Sequence, residues 1–113
     1  MRLEARKYLH DMRRAATLIT GFTDGKSFSD YEIDEMLQAA VEREFEIIGE
    51  AMSRLAATDR ETAELITGYQ RIIAFRNILI HGYADVDNRL VWNVAETNLP
   101  NLVKEVEDLL ATE

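Results

Sequence analysis

An apolar stripe with helical spacing constrains the fold of this chain more than any other feature. Large apolar side chains recur every three or four positions between residues 37 and 55, at Leu37, Val41, Phe45, Ile48, Met52 and Leu55. That spacing places them on one side of a long α-helix. The chain contains one proline and five glycines, which are too few breaks for a β-rich fold with many tight turns. We therefore expect an all-α protein.

Similar spacing predicts helices before and after this stripe. The first is expected from about residue 2 to 19, and GFTDGK at residues 21–26 is typical of a loop. Capping boxes at residues 29–32 (SDYE) and 58–61 (TDRE) predict the start of the long helix and of a short helix that Gly68 ends. The buried side of the first helix is expected to comprise Leu3, Tyr8, Met12, Ala15, Leu18 and Ile19.

Two more helices complete the predicted fold. One is expected from about residue 69 to 82, and the last begins near Asp87, whose side chain can cap it. Pro100 cannot donate a backbone hydrogen bond, which predicts a kink or break that Asn98 could recap. Residues 1–113 are therefore expected to form a single domain, an antiparallel four- to five-helix bundle. The expected apolar residues of the last helix are Leu90, Val91, Val94, Leu102, Val106 and Leu109.

Composition narrows the possible functions. The chain has no cysteine, which excludes disulfides, thiol catalysis and cysteine zinc sites. Its two histidines, His10 and His81, lack the spacing of a metal-binding pair, so neither a metal nor a cofactor is predicted. No stretch reaches the ~20 apolar residues that cross a bilayer, and no signal peptide is recognisable, so we expect a cytoplasmic protein. A net charge of −8 argues against a general nucleic-acid coat, but not against an enzyme that contacts a few nucleotides.

A polar cluster interrupts an otherwise apolar helix. The sequence RNILIHGY at residues 76–83 brings Arg76, Asn77, His81 and Tyr83 into about two helical turns. In helical geometry Arg76 and Tyr83 lie within roughly 20° of each other, and Asn77 and His81 lie about 40° apart. Polar groups in such a setting need partners or a substrate. A satisfied core histidine beside an ion-pairing arginine is the purely structural interpretation of the cluster.

The helix that carries the cluster is apolar on nearly every side, which predicts a central position and favours coverage by a second copy of the chain. We therefore expect a homodimer.

Gly49 and Glu50 interrupt the apolar side of the long helix, and a glycine there would let another helix approach closely. Glu50 could pair with Arg76 or Arg43, or it could orient Arg76 toward a substrate. The carboxylates expected to form a solvated face are Glu42, Glu44 and Glu46.

Several motifs together resemble one protein family. R-x4-H-x-Y spans residues 76–83, EIIGEA occupies residues 46–51, YADVD occupies residues 83–87 and NLPNL occupies residues 98–102. These sequences at these spacings are similar to those of the HepT-like toxin family, a branch of the HEPN superfamily of helical ribonucleases. The agreement runs from the first helix to Leu110. The resemblance implies a HEPN-like bundle that dimerises and places its active groups at the subunit interface.

The resemblance also implies a function. The protein would be the ribonuclease toxin of a toxin–antitoxin pair, and a minimal nucleotidyltransferase antitoxin would silence it by transferring AMP from ATP to Tyr83. The residues themselves suggest that RNA cleavage is metal-independent, because one imidazole and one guanidinium occur together without a set of metal ligands. His81 would act as general base or acid, Arg76 would stabilise charge on the phosphoryl oxygens, and Asn77 would hold the phosphate or orient the imidazole. The alternative is a non-catalytic nucleotide- or partner-binding module, which the net charge of −8 favours.

Overall fold

Helices form almost all of the described chain. A computed structural model describes residues 1–82 and 85–112, and within those ranges it contains no β-strand, which confirms the all-α prediction. Within the same ranges, no helix combines the length and apolar character needed to cross a membrane. A π-helical segment, Val94–Asn98, joins the last two α-helices. The α-helices are α1 (Leu3–Thr23), α2 (Phe28–Glu32), α3 (Glu35–Thr58), α4 (Arg60–Glu64), α5 (Tyr69–Gly82), α6 (Asn88–Asn93) and α7 (Leu99–Ala111).

The core lies where α1 meets α3 and α7. α1 packs along α3, α7 packs against α1, and α5 packs against α3. The stripe predicted on α3 is confirmed, because all six of its residues are buried. These residues meet a second stripe with helical spacing on α1, which consists of Ala5, Leu9, Met12, Ala16 and Ile19. Two matching stripes explain why α1 and α3 form the centre of the fold.

The first helix is longer than predicted, and its buried side includes three of the six predicted residues, Met12, Ala15 and Ile19. It ends at Thr23 instead of near residue 19, so Gly21 lies inside the helix and not in a loop. The chain turns at Gly25, whose φ of 71° is a left-handed conformation that glycine adopts without strain. Leu3 was expected to be buried, but it is 82% exposed. It lies about 160° around the helix from the buried Ala5, on the solvent side.

The first capping box is displaced from its predicted position at residues 29–32. Ser27 and Asp30 form the box instead, with a backbone-to-carboxylate hydrogen bond of 2.8 Å and a backbone-to-hydroxyl hydrogen bond of 3.3 Å. The displacement arises because the extended residue that precedes the helix is Ser27 (φ −105°, ψ 170°). This box begins the short α2, and Asp34 caps α3 separately by accepting a hydrogen bond from the backbone of Leu37.

The ends of the later helices differ less from their predictions. Asp59 caps α4, one residue after the first position of the predicted box at residues 58–61. α4 ends before Gly68, which has a φ of 68° in the turn that leads to α5. Asp87 caps α6 as predicted, because its carboxylate accepts hydrogen bonds from two backbone N–H groups of the first turn.

Among the described residues, the last helical region has no non-helical break, but the π-helical segment Val94–Asn98 interrupts its α-helical pattern directly before α7, close to where a kink or break was predicted. Pro100 lies in the first turn of α7, where its missing N–H donor costs little. Asn98 makes no side-chain cap, so the predicted recapping is wrong. Leu90 was expected on the buried side but is exposed, whereas Trp92, Leu99 and Leu110 are buried without having been predicted.

The helix with the polar cluster has its predicted bounds but not its predicted position. Among the 14 residues of α5, all of which the structure describes, Leu79 is the one buried residue. Ile78 is 50% exposed. The prediction of a central helix is therefore wrong for a single chain. Apolar side chains point in every direction from this helix, but the main contact of α5 is with α3 alone.

Candidate functional site

A glycine on α3 brings α5 close to it. A Cβ atom placed on Gly49 would collide with the Cβ of Arg76 and would lie 2.8 Å from its Cγ and 3.3 Å from the backbone oxygen of Ile72. The absence of a side chain at Gly49 therefore allows the two helices to touch at this point. The contact also fixes where the side chain of Arg76 begins, directly against the surface of α3.

The next residue of α3 holds the guanidinium of Arg76. One terminal nitrogen of Arg76 lies 2.9 Å from Oε2 of Glu50, and the other donates to Oδ1 of Asn77 over 3.2 Å. The Nε atom is buried and has no hydrogen-bond partner among the described residues. The Arg76 side chain as a whole remains 30% exposed. The guanidinium is thus held in place and is still accessible to a ligand.

Glu50 had two candidate partners, and the structure pairs it with Arg76 and with a third residue. Nε of Arg54 donates to Oε1 of Glu50 over 2.9 Å. Arg43, the other candidate, instead pairs with Glu46 over 3.5 Å. One carboxylate therefore lies between two guanidiniums. Sequence reasoning missed Arg54, although its i, i+4 spacing from Glu50 on a helix was a usable signal.

The other residues of the motif lie on the exposed part of α5. Asn77 and His81 are exposed, and Gly82 is the last residue of the helix. In helical geometry His81 lies about 140° around the axis from Arg76. The structure therefore brings Arg76 together with Asn77 and Glu50, whereas the imidazole points to another side of the helix. Tyr83 lies outside the described residues.

A cleft opens beside Arg76 between α1, α3 and α5. Its volume is about 370 Å³, and its basic lining residues are Lys7, Arg43, Arg54 and Arg76. His81 and Asn77 do not line it. Sequence reasoning did not find this cleft because its walls come from parts of the chain that are far apart in sequence. No local pattern links α1 to the motif on α5.

The acidic residues of α3 are less uniformly solvated than predicted. Glu42 is only partly exposed, and its burial, with a smaller contribution from the charge of Glu46, raises the pKa of its carboxyl group. Glu46 itself is tied to Arg43. Among the described residues, no group of three or more histidine, aspartate or glutamate side chains is arranged to hold a metal ion.

Comparison with known sequences identifies the family. The model of a family described as "Ribonuclease HepT-like" matches residues 12–109, a range that includes all of α3 and α5. The chain belongs to the HepT-like ribonuclease family. This HepT-like chain carries Glu50, Arg76 and His81 inside the matched range, whereas Lys7 and Tyr8 precede it. The α1 side of the cleft is thus formed by residues that the family match does not cover.

Individual relatives extend over nearly the whole chain. A Thermococcus cleftensis protein named probable ribonuclease HepT is 34% identical over 109 residues, which cover 96% of this chain and 98% of that protein. A Caldanaerobacter subterraneus protein, whose name describes a candidate RNase, is 32% identical over 108 residues, or 96% of each chain. A similarly named Methanocaldococcus jannaschii protein is 31% identical over 104 residues, or 92% of this chain and 94% of that protein. No solved structure matches the chain.

Proposed function

We propose that this HepT-like protein is an endoribonuclease that needs no metal, and that two copies of the chain complete its active site. The observation that carries the proposal is the position of Arg76, held 2.9 Å from Glu50 and still partly exposed, five residues before the exposed His81 on the same helix. A guanidinium can donate two parallel hydrogen bonds to phosphoryl oxygens. An imidazole can both accept and donate a proton near neutral pH.

These groups suit cleavage through the ribose 2′-hydroxyl. His81 of one copy removes the 2′-hydroxyl proton, and the 2′-oxygen forms a bond to the adjacent phosphorus. The bond between phosphorus and the 5′-oxygen then breaks, and His81 of the second copy supplies a proton to that oxygen. Arg76 stabilises the charge on the phosphoryl oxygens, and Asn77 holds the phosphate or orients the imidazole. The products are a 2′,3′-cyclic phosphate and a 5′-hydroxyl end.

Cleavage by purified protein tests the catalytic assignment. We expect His81→Ala to abolish cleavage of RNA in the presence of EDTA, whereas His10→Ala, which removes the exposed histidine of α1, retains it. Arg76→Lys should lose most activity because an ammonium cannot reproduce the planar fork of donors. Circular dichroism would check that each variant is folded. Undiminished cleavage by His81→Ala would refute the assignment, and dependence on an added divalent ion would refute the metal-independent mechanism.

Exposed apolar surface on α5 supports the association of two copies. Ile78 is 50% exposed and lies about 60° from His81 around the helix, so a second chain packed on Ile78 would bring the His81 side chains of the two copies to the same interface. Ile78→Glu should then abolish both the dimer in sedimentation velocity and RNA cleavage. Leu65→Glu is the matched control, because Leu65 is exposed outside α5. Full cleavage by a strictly monomeric Ile78→Glu variant would contradict the composite site.

The proposed control of the enzyme is modification of Tyr83 by a nucleotidyltransferase antitoxin. Tyr83 follows Arg76 by seven residues, a spacing that in a helix corresponds to nearly the same side. A phosphate attached there would compete for the guanidinium. Expression of the chain alone should arrest growth, and coexpression with a neighbouring nucleotidyltransferase gene should restore growth and add the mass of AMP to the Tyr83 peptide. Rescue of a Tyr83→Phe variant by the same enzyme would contradict this mechanism.

A second candidate function is a non-catalytic module that binds a nucleotide or a partner. The net charge of −8 favours it, as does the position of His81, about 140° around α5 from Arg76. Such a module would bind RNA or a nucleotide through Arg76 without cleaving it. Overexpression separates the two functions, because a ribonuclease should fragment cellular RNA and a binding module should leave it intact.

A further inference from the structure

The cleft beside Arg76 contains three further basic side chains that the cleavage reaction does not use. Lys7 contributes from α1, Arg43 and Arg54 contribute from α3, and Arg76 contributes from α5. On a chain whose net charge is −8, four basic side chains around one cleft mark a local preference for an anionic ligand. The volume of about 370 Å³ lies at the lower end of the range for small-ligand sites.

The carboxylates in the cleft leave part of this charge uncompensated. Asp11 pairs with Lys7 over 3.3 Å, and Glu46 pairs with Arg43 over 3.5 Å. Glu50, however, is shared by Arg54 and Arg76, each at 2.9 Å. Two guanidiniums on one carboxylate retain one positive charge. The Arg54 side chain is 62% exposed, so a phosphate can approach it directly from solvent.

Tyr8 offers the flat surface that a base requires. It lines the cleft together with the apolar side chains of Ile47 and Ala51. The Lys7 ammonium lies 5.7 Å from the centre of the Tyr8 ring. That ammonium is exposed and held by one surface ion pair, which contributes little to stability. An incoming base can therefore displace Lys7 and stack on the ring.

We infer that this cleft binds one nucleotide of a single-stranded RNA, next to the phosphate held by Arg76, with Arg54 on its phosphate and Tyr8 against its base. The inference rests on the proposed ribonuclease function for the place of the scissile phosphate. A base inside a duplex is stacked and paired, so its face is not available to Tyr8. The subsite would thus select unpaired RNA, with little preference among bases, because every base has a face that can stack.

Binding measured without cleavage tests the subsite. All variants are made in the His81→Ala chain, and the probe is a short fluorescein-labelled single-stranded oligoribonucleotide of mixed sequence, followed by fluorescence anisotropy. Tyr8→Ala should weaken binding about tenfold through loss of stacking, and Tyr8→Phe should restore it. Arg54→Gln should weaken binding and lower the slope of log Kd against log salt by about 0.7, the change expected for one lost phosphate contact on a single strand.

Matched controls separate the subsite from general electrostatics and from misfolding. Arg14→Gln removes the same charge from an exposed position of α1 outside the cleft and should leave binding within twofold of the parent. Thermal unfolding verifies that Tyr8→Ala and Arg54→Gln are folded at the assay temperature. Equal losses for Arg14→Gln and Arg54→Gln, failure of Tyr8→Phe to restore binding, or equally tight binding of the same sequence as a duplex would each overturn the inference.

Failure of the nucleotide subsite can be distinguished from failure of the proposed ribonuclease function. If the unmodified chain cleaves no RNA but Tyr8→Ala and Arg54→Gln still lose binding, the cleavage proposal fails and the nucleotide site stands. If the unmodified chain cleaves RNA, the same two substitutions made in it should raise KM and change kcat less than twofold. Unchanged KM in both would overturn the subsite and leave the cleavage proposal intact.

Discussion

α1 and α5 both pack against α3, but they use their apolar residues in opposite ways. α1 has six buried residues, and most lie on one stripe that faces α3. α5 has one buried residue among its 14, all of them described, although apolar side chains surround its axis. The difference shows that the arrangement of apolar residues around a helix, more than their number, determines how much surface one chain can bury. The polar motif lies on the helix whose apolar surface remains available.

The largest expected difference in stability is between substitution of a core leucine of α1 and substitution of an exposed isoleucine of α5. Leu9 is fully buried, so Leu9→Ala should lower the free energy of unfolding by ~2–5 kcal/mol through lost burial and a residual cavity. Ile78→Ala, at a dilution where the chain is monomeric, should change it by less than about 0.5 kcal/mol. Urea unfolding measures both values. Equal losses would mean that α5 belongs to the core and that the comparison is wrong.

A second comparison uses two helical glycines. Gly49→Ala should destabilise the fold by ~1–3 kcal/mol, because the new methyl group collides with the side chain of Arg76 and must push α5 away from α3. Gly21→Ala meets no atom within 4 Å and should stabilise α1 by up to about 1 kcal/mol. Thermal unfolding should show a lower melting temperature for Gly49→Ala and a higher one for Gly21→Ala. RNA cleavage should fall in Gly49→Ala alone. Stabilisation by Gly49→Ala would show that the close approach of the helices does not limit the fold.

The elements that the sequence predicts well are those that local spacing determines. The stripe of α3, the bounds of α5 and the cap at Asp87 depend on periodicity or on one side chain beside its own helix start. The first capping box was misplaced because several serine and aspartate residues compete within a few positions, and Ser27 begins the helix before Ser29 can. The prediction that Leu3 is buried was wrong because Ala5, a small residue, belongs to the stripe that faces the core.

The candidate site was predictable only where its residues are near in sequence. The motif on α5 is visible as a string of letters, and the glycine before Glu50 indicated a close helix approach. The choice of Arg76 over Arg43 as a partner of Glu50 depends on how far α5 slides along α3, which spacing within either helix does not determine. The cleft adds Tyr8 from a third helix, and contacts among three helices arise from tertiary packing alone.

Asp59 lies between the end of α3 and the start of α4 and caps α4. Its carboxylate accepts hydrogen bonds from the hydroxyl of Thr62 at 2.7 Å and from its backbone at 3.2 Å, and these bonds lower the pKa of Asp59. The charged carboxylate therefore stabilises the fold fully above pH 3.8, the ordinary pKa of the group, and this stabilisation is lost as the pH falls through the lowered pKa. Asp59→Ala should cost about 1 kcal/mol at pH 7 and progressively less as the pH falls through the lowered pKa of Asp59. A pH-independent difference in urea unfolding would contradict the role of the charge.

The smallest expected effects on stability come from two glutamates of α3. Glu42 is partly buried, and Glu50 lies beside α5. Burial raises the pKa of Glu42 above its ordinary value of 4.5. The protonated carboxyl group is therefore more favourable in the folded chain than in the unfolded chain, and this contribution to stability is lost as the pH rises through the raised pKa. Glu42→Gln should therefore stabilise the fold at pH 7 by up to about 0.5 kcal/mol and have no such effect at pH 3. Glu50→Gln should have the opposite sign and cost up to about 1 kcal/mol, because two partly exposed ion pairs are lost. Thermal unfolding at both pH values measures the pair, and destabilisation by both substitutions at pH 7 would show that Glu42 stabilises the fold in its charged form.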